Sequence, residues 1–387
     1  MTTGPALRIG VAGLGLAGSA MISAILDHPG VILAGGADRD AELRGRFAQD
    51  HAIAVDGDAA ELFRRADIDA VYIATPHQFH RAHTVAALQA GKHVIVEKPM
   101  ALSLADCDAM IAEAHRWKRM LIVGHTHAYD PSVRYIREIV RRGDLGSPSM
   151  ISMWTFTDFL YRPRRPEELD TARGGGILFN QIPHQVAVAS LLAGRPAERV
   201  RAMTHVLDPR RPTEGSCTAL IDFGGGLGAS IVYSGYDHFD SDEFHSWVAE
   251  NGREKVADQG RARRALAGVS GGEEALLRRV RYGYGGGAHA PRDEPLHQPH
   301  FGILVVSCEK GDLKPSRDGV TLYAEDGVRD VALAGGRRPG HRLVLDDLCA
   351  AVHDGVPPQQ DGLFGRETLR ICLAIQRSAA ERREVAC

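Results

Sequence analysis

Three groups of residues in this chain have types and spacings that could do chemistry. The first is Gly91-Lys92-His93-Val94-Ile95-Val96-Glu97-Lys98-Pro99. Val94–Val96 is a β-branched apolar run of the kind that makes a buried strand, and Pro99 cannot continue its ladder. An acid and an amine are thereby held on stiff backbone at the carboxyl end of a strand, the edge where open α/β sheets bind ligands. In isolation, a surface glutamate–lysine pair closing a strand would read the same way. The second group is Gly13-Leu14-Gly15-Leu16-Ala17-Gly18, between the apolar run Leu7–Ala12 and a helical segment reaching about Asp27. In that setting the first glycine makes the turn, the second admits a pyrophosphate, and the third packs helix on strand. The helix that follows offers its unpaired N–H groups to the phosphates. The third group is His184, downstream of Gly174-Gly175-Gly176 and Asn180. A lone histidine in a helix more often serves packing, but a triple glycine lets backbone approach a ligand.

These residues need elements to position them, and the apolar pattern supplies them. Val31–Ala37 reads as a strand ending at Asp38, twenty positions after Gly18, where a carboxylate would accept from the ribose hydroxyls and repel a 2′-phosphate. That favours NAD. Arg39 beside it could stack on adenine or pair with that phosphate, which keeps NADP as the alternative. Asp38 could instead cap a helix over 40–50, but three agreeing spacings favour the cofactor. A strand near Ile53–Val55, a helix near Ala59–Arg65 and a strand Ala70–Ala74 follow; Thr75-Pro76-His77 then breaks the chain before a helix over 79–90. Strand 93–96, helix 103–116 and strand Met120–Val123 complete an α/β alternation that predicts a doubly wound parallel Rossmann sheet over residues 1–125.

After Gly146 the pattern changes. Met150–Phe156, Val200–Val206, Thr218–Phe223, Leu227–Tyr233, His245–Ala249 and Ile303–Cys308 are strand-like, with a helix at about Leu178–Leu192 and closing helices near 341–353 and 365–383. The prediction for 126–387 is an α+β domain on a large, open-faced, mainly antiparallel sheet, with the closing helices packed back on it. Residues 259–300, carrying Arg261, Arg263, Arg264, Arg278, Arg279 and Arg281 and then Gly285-Gly286-Gly287, read as a basic, glycine-rich insertion. Aromatics that could stack bases are few there, so a solvated helix and loop are preferred to nucleic-acid binding.

At 387 residues two domains are expected, and a net charge of −3 gives no electrostatic reason for nucleic-acid or membrane partners. No apolar run approaches the roughly 20 residues of a membrane span, and the start lacks a leader pattern. Six cysteines without metal spacing suit reduced thiols in a cytoplasm. His238, Asp240, Asp242, Glu243 and His245 are metal-capable types, but alternation along a strand explains them, and no metal is expected.

Taken together, Gly13-x-Gly15-x-x-Gly18, Ala74-Thr75-Pro76 with His80, Gly91 through Glu97-Lys98-Pro99, and Gly174-Gly175-Gly176 with His184 resemble the Gfo/Idh/MocA family of nicotinamide-dependent oxidoreductases. The resemblance covers nearly the whole chain in order. It implies a Rossmann domain, an open-faced sheet domain, and a substrate between them over the nicotinamide. Thr75–His80, Gly124-His125-Thr126-His127, Tyr161–Pro166, Phe179-Asn180-Gln181 and Tyr233–Asp240 are similar to one branch, the phthalate cis-dihydrodiol dehydrogenases. That likeness implies NAD⁺-dependent oxidation of a ring cis-diol dicarboxylate to a dihydroxy-aromatic. Lys98 would be the base or polarise the oxygen, its ammonium pKa lowered by burial and cofactor charge, and His184 would relay the proton. Glu97, Ala74, Thr75, Pro76, His77 and His80 would border the cofactor with Leu16 and Ala17. Arg162, Arg164, Arg165 and Arg173 on a Pro-rich loop are expected to supply one or two carboxylate contacts, with His77, His125 and His127 facing the same cleft. Sugar enzymes of the family commonly carry aspartate where this chain has Asn180, which would share a helix face with His184; its neutrality suits an anionic substrate. The alternatives are a sugar or cyclitol dehydrogenase of the same family and a non-catalytic NAD(P)-binding regulator. The open sheet predicts a homodimer or homotetramer.

Overall fold

The apolar runs of the first 125 residues become six parallel strands: β1 (Leu7–Ala12), β2 (Val31–Ala37), β3 (Val55–Asp56), β4 (Ala70–Ile73), β5 (His93–Glu97) and β6 (Leu121–Gly124). They alternate with α1 (Leu16–Leu26), α2 (Ala41–His51), α3 (Ala59–Arg64), α4 (His80–Gln89) and α5 (Leu104–Trp117). The sheet order is β3-β2-β1-β4-β5-β6. The strands are apolar without alternation, and β4 is buried throughout, because helices cover both faces of such a sheet. Strand order reverses between β1 and β4, so the loops leaving those two strands part and open a crevice. Into it come the Gly13 loop from β1 and Thr75 from β4, with Glu97-Lys98 one strand further on.

The computed structural model describes residues 4–282, 297–333 and 340–387; the glycine run 285–287 of the expected insertion lies outside them. The chain forms two compact units. One is Met1–His125 with Leu276–Arg292 and His341–Leu369; the other is Thr126–Ala275 with Asp293–Gly340 and Arg370–Cys387. The units change over at residue 125, but His341–Leu369, expected with the second domain, clusters with the first. The cause is specific pairing. Val123 N–H donates to the Gln360 carbonyl, Gln360 Nε2 donates to the His125 carbonyl, and Asp346 meets the ring of His28 at 3.0 Å.

The second unit contains α6 (Pro131–Arg142), β7 (Pro148–Phe156), α7 (Gly176–Asn180), α8 (Ile182–Ala193), β8 (Arg199–His205), β9 (Ser216–Asp222) and β10 (Gly228–Ser234). Next come α9 (Arg261–Leu266) and α10 (Gly271–Tyr282), the latter running into the first unit. Then follow β11 (Ile303–Cys308), β12 (Gly311–Pro315), β13 (Gly319–Ala324) and β14 (Gly327–Ala332). The chain closes with α11 (Gly340–His353), α12 (Gly362–Glu381) and β15 (Val385–Ala386), α11 lying in the first unit from His341 and α12 passing from the first to the second. Nine strands order as β14-β13-β12-β11-β7-β10-β9-β8-β15, antiparallel except where β7 and β10 pair. Along β9, Cys217, Ala219 and Ile221 are buried while Thr218, Leu220 and Asp222 face out, the period of two that one covered face requires. On that covered side α8 is buried from Ile182 to Leu192, and Gln185 Nε2 ties it to the sheet through the Val232 carbonyl and Thr155 Oγ1, both at 3.1 Å.

Two local expectations are corrected. The single helix over Leu178–Leu192 is two helices broken at Gln181 (φ −118°), because Pro183 is suited to a first helical turn and not to an interior. Asn180 and His184 therefore do not share one continuous helix face. The strand expected at His245–Ala249 is a helical turn, Ser241–His245, followed by Ser246 and Trp247 at φ 56° and 60°. Asp240 nucleates it by accepting the Asp242 N–H. Among the described residues no helix is long and apolar enough to cross a membrane.

Candidate active site

In the first unit the glycine loop has the form a dinucleotide needs. Gly13 has φ 95°, and a Cβ there would lie 2.6 Å from the Ala74 carbonyl oxygen; at Gly18 it would lie 1.9 Å from the Gly13 oxygen. Larger residues would push the loop off β4 and the helix off the loop. Gly15 starts α1 without a side-chain cap or an acid in the first turn, so the N–H groups around Leu16 and Ala17 remain for phosphate. Asp38 accepts from Leu14 N–H at 2.8 Å and from Asp40 N–H at 2.9 Å. A carboxylate has about four acceptor positions, so about two remain for ribose hydroxyls. Arg39 is largely exposed, 3.8 Å from Asp58 and with its guanidinium 5.5 Å from the Phe79 ring.

Behind the loops, Thr75 Oγ1 bonds His83, and His77 packs edge-on to His80. His80 is buried, its two ring nitrogens 2.9 and 2.8 Å from the Pro99 and Thr75 carbonyl oxygens. It thus fastens the loop after β4 to the loop after β5. Glu97 is anchored in the same way: the buried Tyr72 hydroxyl donates to Oε1, and the Lys98 backbone N–H donates to Oε2 at 3.1 Å. Burial first, and the Glu97 charge second, push the Tyr72 phenol pKa well up, so it stays a donor. Lys98 is half-buried beside His125. His125 is 1% exposed, with neither ring nitrogen hydrogen-bonded among the described residues. Burial, then the Lys98 charge, push its pKa down to about 3, leaving a neutral imidazole next to an ammonium.

In the second unit His184, 8% exposed, lies in an aromatic nest. Its ring is 4.9 Å from that of His127 and 5.0 Å from that of Phe301. Tyr233 stacks on Phe301, shares a 2.7 Å hydrogen bond with Thr157 Oγ1 and donates to Gln181 Oε1. Asn180 donates through Nδ2 to the carbonyls of Gly176 at 2.7 Å and Gly174 at 3.2 Å, holding the glycine turn that precedes α7.

Residues 7–125 match the family model described as oxidoreductase family, NAD-binding Rossmann fold, and residues 133–252 match the GFO/IDH/MocA C-terminal domain. The chain is 40% identical over 374 residues to a 1-carboxy-3-chloro-3,4-dihydroxycyclohexa-1,5-diene dehydrogenase of Comamonas testosteroni, covering 95% of this chain and 94% of that protein. The chain belongs to the GFO/IDH/MocA oxidoreductases. A crystal structure from Bordetella bronchiseptica RB50 superposes with TM-score 0.94 at 44% identity, covering 99% of this chain and 100% of that one. The myo-inositol 2-dehydrogenase of Thermotoga maritima is 30% identical over 213 residues, 52% of this chain and 59% of that protein.

As a GFO/IDH/MocA member the chain is an oxidoreductase with an NAD-binding Rossmann domain, and the glycine cradle and half-used Asp38 carboxylate fit that cofactor. The arginine loop is more committed to the protein than its sequence implies. Arg162 pairs with Asp158 at 2.7 Å and Glu250 at 3.5 Å. Arg164 lies 3.9 Å over the Phe159 ring and donates to the Phe159 carbonyl; Arg165 pairs with Glu167 and Glu168. Arg173 is exposed and makes no ion pair among the described residues. Asp240 and Asp242 are both engaged by Lys255, and His245 Nε2 donates to the Gly302 carbonyl. Tyr72 and Phe301 were not legible as site residues. The signal for Tyr72 is a lone hydroxyl in an otherwise apolar strand; for Phe301 there is none.

Proposed function

We propose that the chain oxidises a cis-dihydrodiol on a carboxylated ring, with NAD⁺ preferred over NADP⁺. The observation that carries this reading is Lys98. Its amino group stands beside a neutral buried imidazole, on a strand end braced by Tyr72 and Glu97 and two strands from the glycine loop. The nicotinamide ring supplies the acceptor for the hydride that leaves the carbinol carbon. Lys98 polarises the carbinol oxygen or takes its proton, and His184 is the second proton acceptor. The hydroxy-ketone formed tautomerises to the aromatic diol, which draws the reaction forward.

A substrate carboxylate needs a cation, and Arg173, exposed immediately before the glycine turn, is the proposed partner. Because Arg162, Arg164 and Arg165 have internal partners, one carboxylate suits the loop better than the two of a phthalate-type diol. The Comamonas relative is likewise named for a substrate with one carboxyl group. The test is NADH formation from ring cis-dihydrodiols with no, one or two carboxylates. Arg173→Ala should raise KM for the carboxylated diols about tenfold or more and leave the uncharged one unchanged. Preferred turnover of inositol-type polyols would move the assignment to a cyclitol dehydrogenase. NADH binding without turnover of any diol would make it a regulator.

The chain is further proposed to be a cytoplasmic homo-oligomer. Met203, Thr218, Val232, Trp154 and Ile303 are cross-strand neighbours on the outer sheet face, and Trp154, Met203 and Leu220 are about half exposed there, an apolar surface that a second copy would cover. Cys107, Cys217, Cys349 and Cys372 are buried thiols, as a reducing compartment allows.

A further inference from the structure

Next to His184 the second unit holds a buried carboxylate that the reaction above leaves unused. Asp130 stands at the N-cap of α6, where an aspartate ordinarily accepts a helix N–H, yet its side chain makes no capping bond. Instead Oδ2 lies 2.9 Å from Nδ1 of His127. Asp130 is 2% exposed, and its burial raises its pKa. Giving up both solvent and cap is costly for a carboxylate unless the partner it holds matters.

That partner touches the proposed site. The His127 ring stands at 77° to the His184 ring with centroids 4.9 Å apart, and both rings flank Phe301. A cavity of about 10 Å³, roughly one water, is lined by His127, Asp130, Ser132, His300 and Phe301. The titratable and charged groups facing the pair are His184 on α8, His300 before β11, and Glu250, itself 3.5 Å from Arg162. His300 takes no part in proton exchange. Its Nδ1 accepts from Gly302 N–H, its Nε2 donates to the Val248 carbonyl, and burial pushes its pKa down to about 3.

We infer that Asp130 and His127 form a positioning pair for His184. Asp130 keeps the His127 proton on Nδ1 and orients the ring, and its negative charge stabilises the proton that His184 takes from the carbinol hydroxyl. The proton is shared between the two imidazoles and returned to solvent; Asp130 stays ionised and no other bond changes. This rests on His184 as a proton acceptor in the reaction proposed above.

Two readouts test it. In the resting protein, without substrate, the histidines are titrated by ¹H–¹⁵N NMR in wild type, Asp130→Asn and His127→Gln. Asp130→Asn should lower the His184 pKa by about one unit, the usual worth of losing a nearby opposite charge, and His127→Gln, which keeps that charge but removes the ring between it and His184, should lower it by less. A His184 titration that neither variant moves overturns the pair. Kinetically, with NAD⁺ and a ring cis-dihydrodiol carboxylate, Asp130→Asn should lower kcat about 10–100-fold. KM should stay within about threefold, and the acid limb of the kcat profile should move to lower pH. Unchanged kcat and an unmoved limb overturn the inference. If Asp130→Asn fails to fold, His127→Gln, which leaves the α6 junction intact, decides by the same measurements. A wild-type chain that oxidises no such diol refutes the reaction, while the titration still decides whether the pair acts on His184.

Discussion

Asn180 is the position where charge and hydrogen bonding make opposite demands, and Asn180→Asp separates them. Aspartate keeps the volume of asparagine, so by packing alone the change is nearly free. In the folded chain, however, the amide is a double donor, its Nδ2 reaching the Gly176 and Gly174 carbonyls at 2.7 and 3.2 Å. Those glycines stand at φ 70° and 82°, in a turn so tight that a Cβ on Gly175 would meet the Glu168 carbonyl at 2.6 Å. Two acceptors require a donor. Replacing the amide by a carboxylate removes two hydrogen bonds worth about 1 kcal/mol each and sets negative oxygen against two carbonyls, about 2–4 kcal/mol in all. For a domain of this size that lowers Tm by roughly 5–10 °C. The sign with pH follows. The introduced carboxyl regains a donor when protonated, so its folded pKa is raised above the unfolded value of about 3.9. Its favourable contribution is present below that value and is lost as pH rises through the folded pKa. The Tm gap to wild type should therefore be widest near neutral pH and narrow on acidification. Asn180→Ala, which loses the donors without adding charge, should fall between the two at neutral pH. Differential scanning calorimetry at several pH values reads this directly. An Asn180→Asp protein as stable as wild type near neutral pH would refute the donor role.

Asp38→Ala should weaken NAD⁺ more than NADP⁺ in fluorescence titrations, because only NAD⁺ presents a free 2′-hydroxyl; equal losses would remove Asp38 from the ribose. Lys98→Met should retain NADH binding while kcat falls by roughly 10²–10⁴, and near-native turnover would exclude Lys98 as the proton-handling group. His125 and His300, both buried and held near pKa 3, bind a proton in the unfolded chain at about pH 6.5 but not in the folded one. Stability is therefore lost as pH falls below about 6.5, by about 1 kcal/mol per histidine between pH 7 and pH 5.5. Urea midpoints across that range measure the loss, and His125→Gln should flatten it; an unchanged slope would mean that His125 is charged when folded.

The Rossmann unit was legible because its signals are local. Gly13, Gly15 and Gly18 sit within one turn, and each apolar run names its own strand. The second sheet was legible as far as its strands alternate cleanly. It failed at β12–β14, where charges such as Lys314, Arg329 and Asp330 interrupt short segments, and at residues 245–249, where Asp240 turns the chain. The site divides along the same line. Lys98 and His184 could be named from neighbours in sequence, whereas the groups that hold them could not. Tyr72 reaches Glu97 because β4 lies beside β5 with Tyr72 opposite Ile95, two residues short of the glutamate. No feature within either segment encodes that register. Asp130 has the sequence of a helix cap and Asn180 that of a missing charge, and each instead answers a polar group that only the folded backbone brings near: His127 Nδ1 and the two glycine carbonyls. A buried polar atom must find a partner whatever its own propensity. The identity of that partner depends on which loops converge. The most informative substitutions are therefore those whose sequence role and structural role disagree.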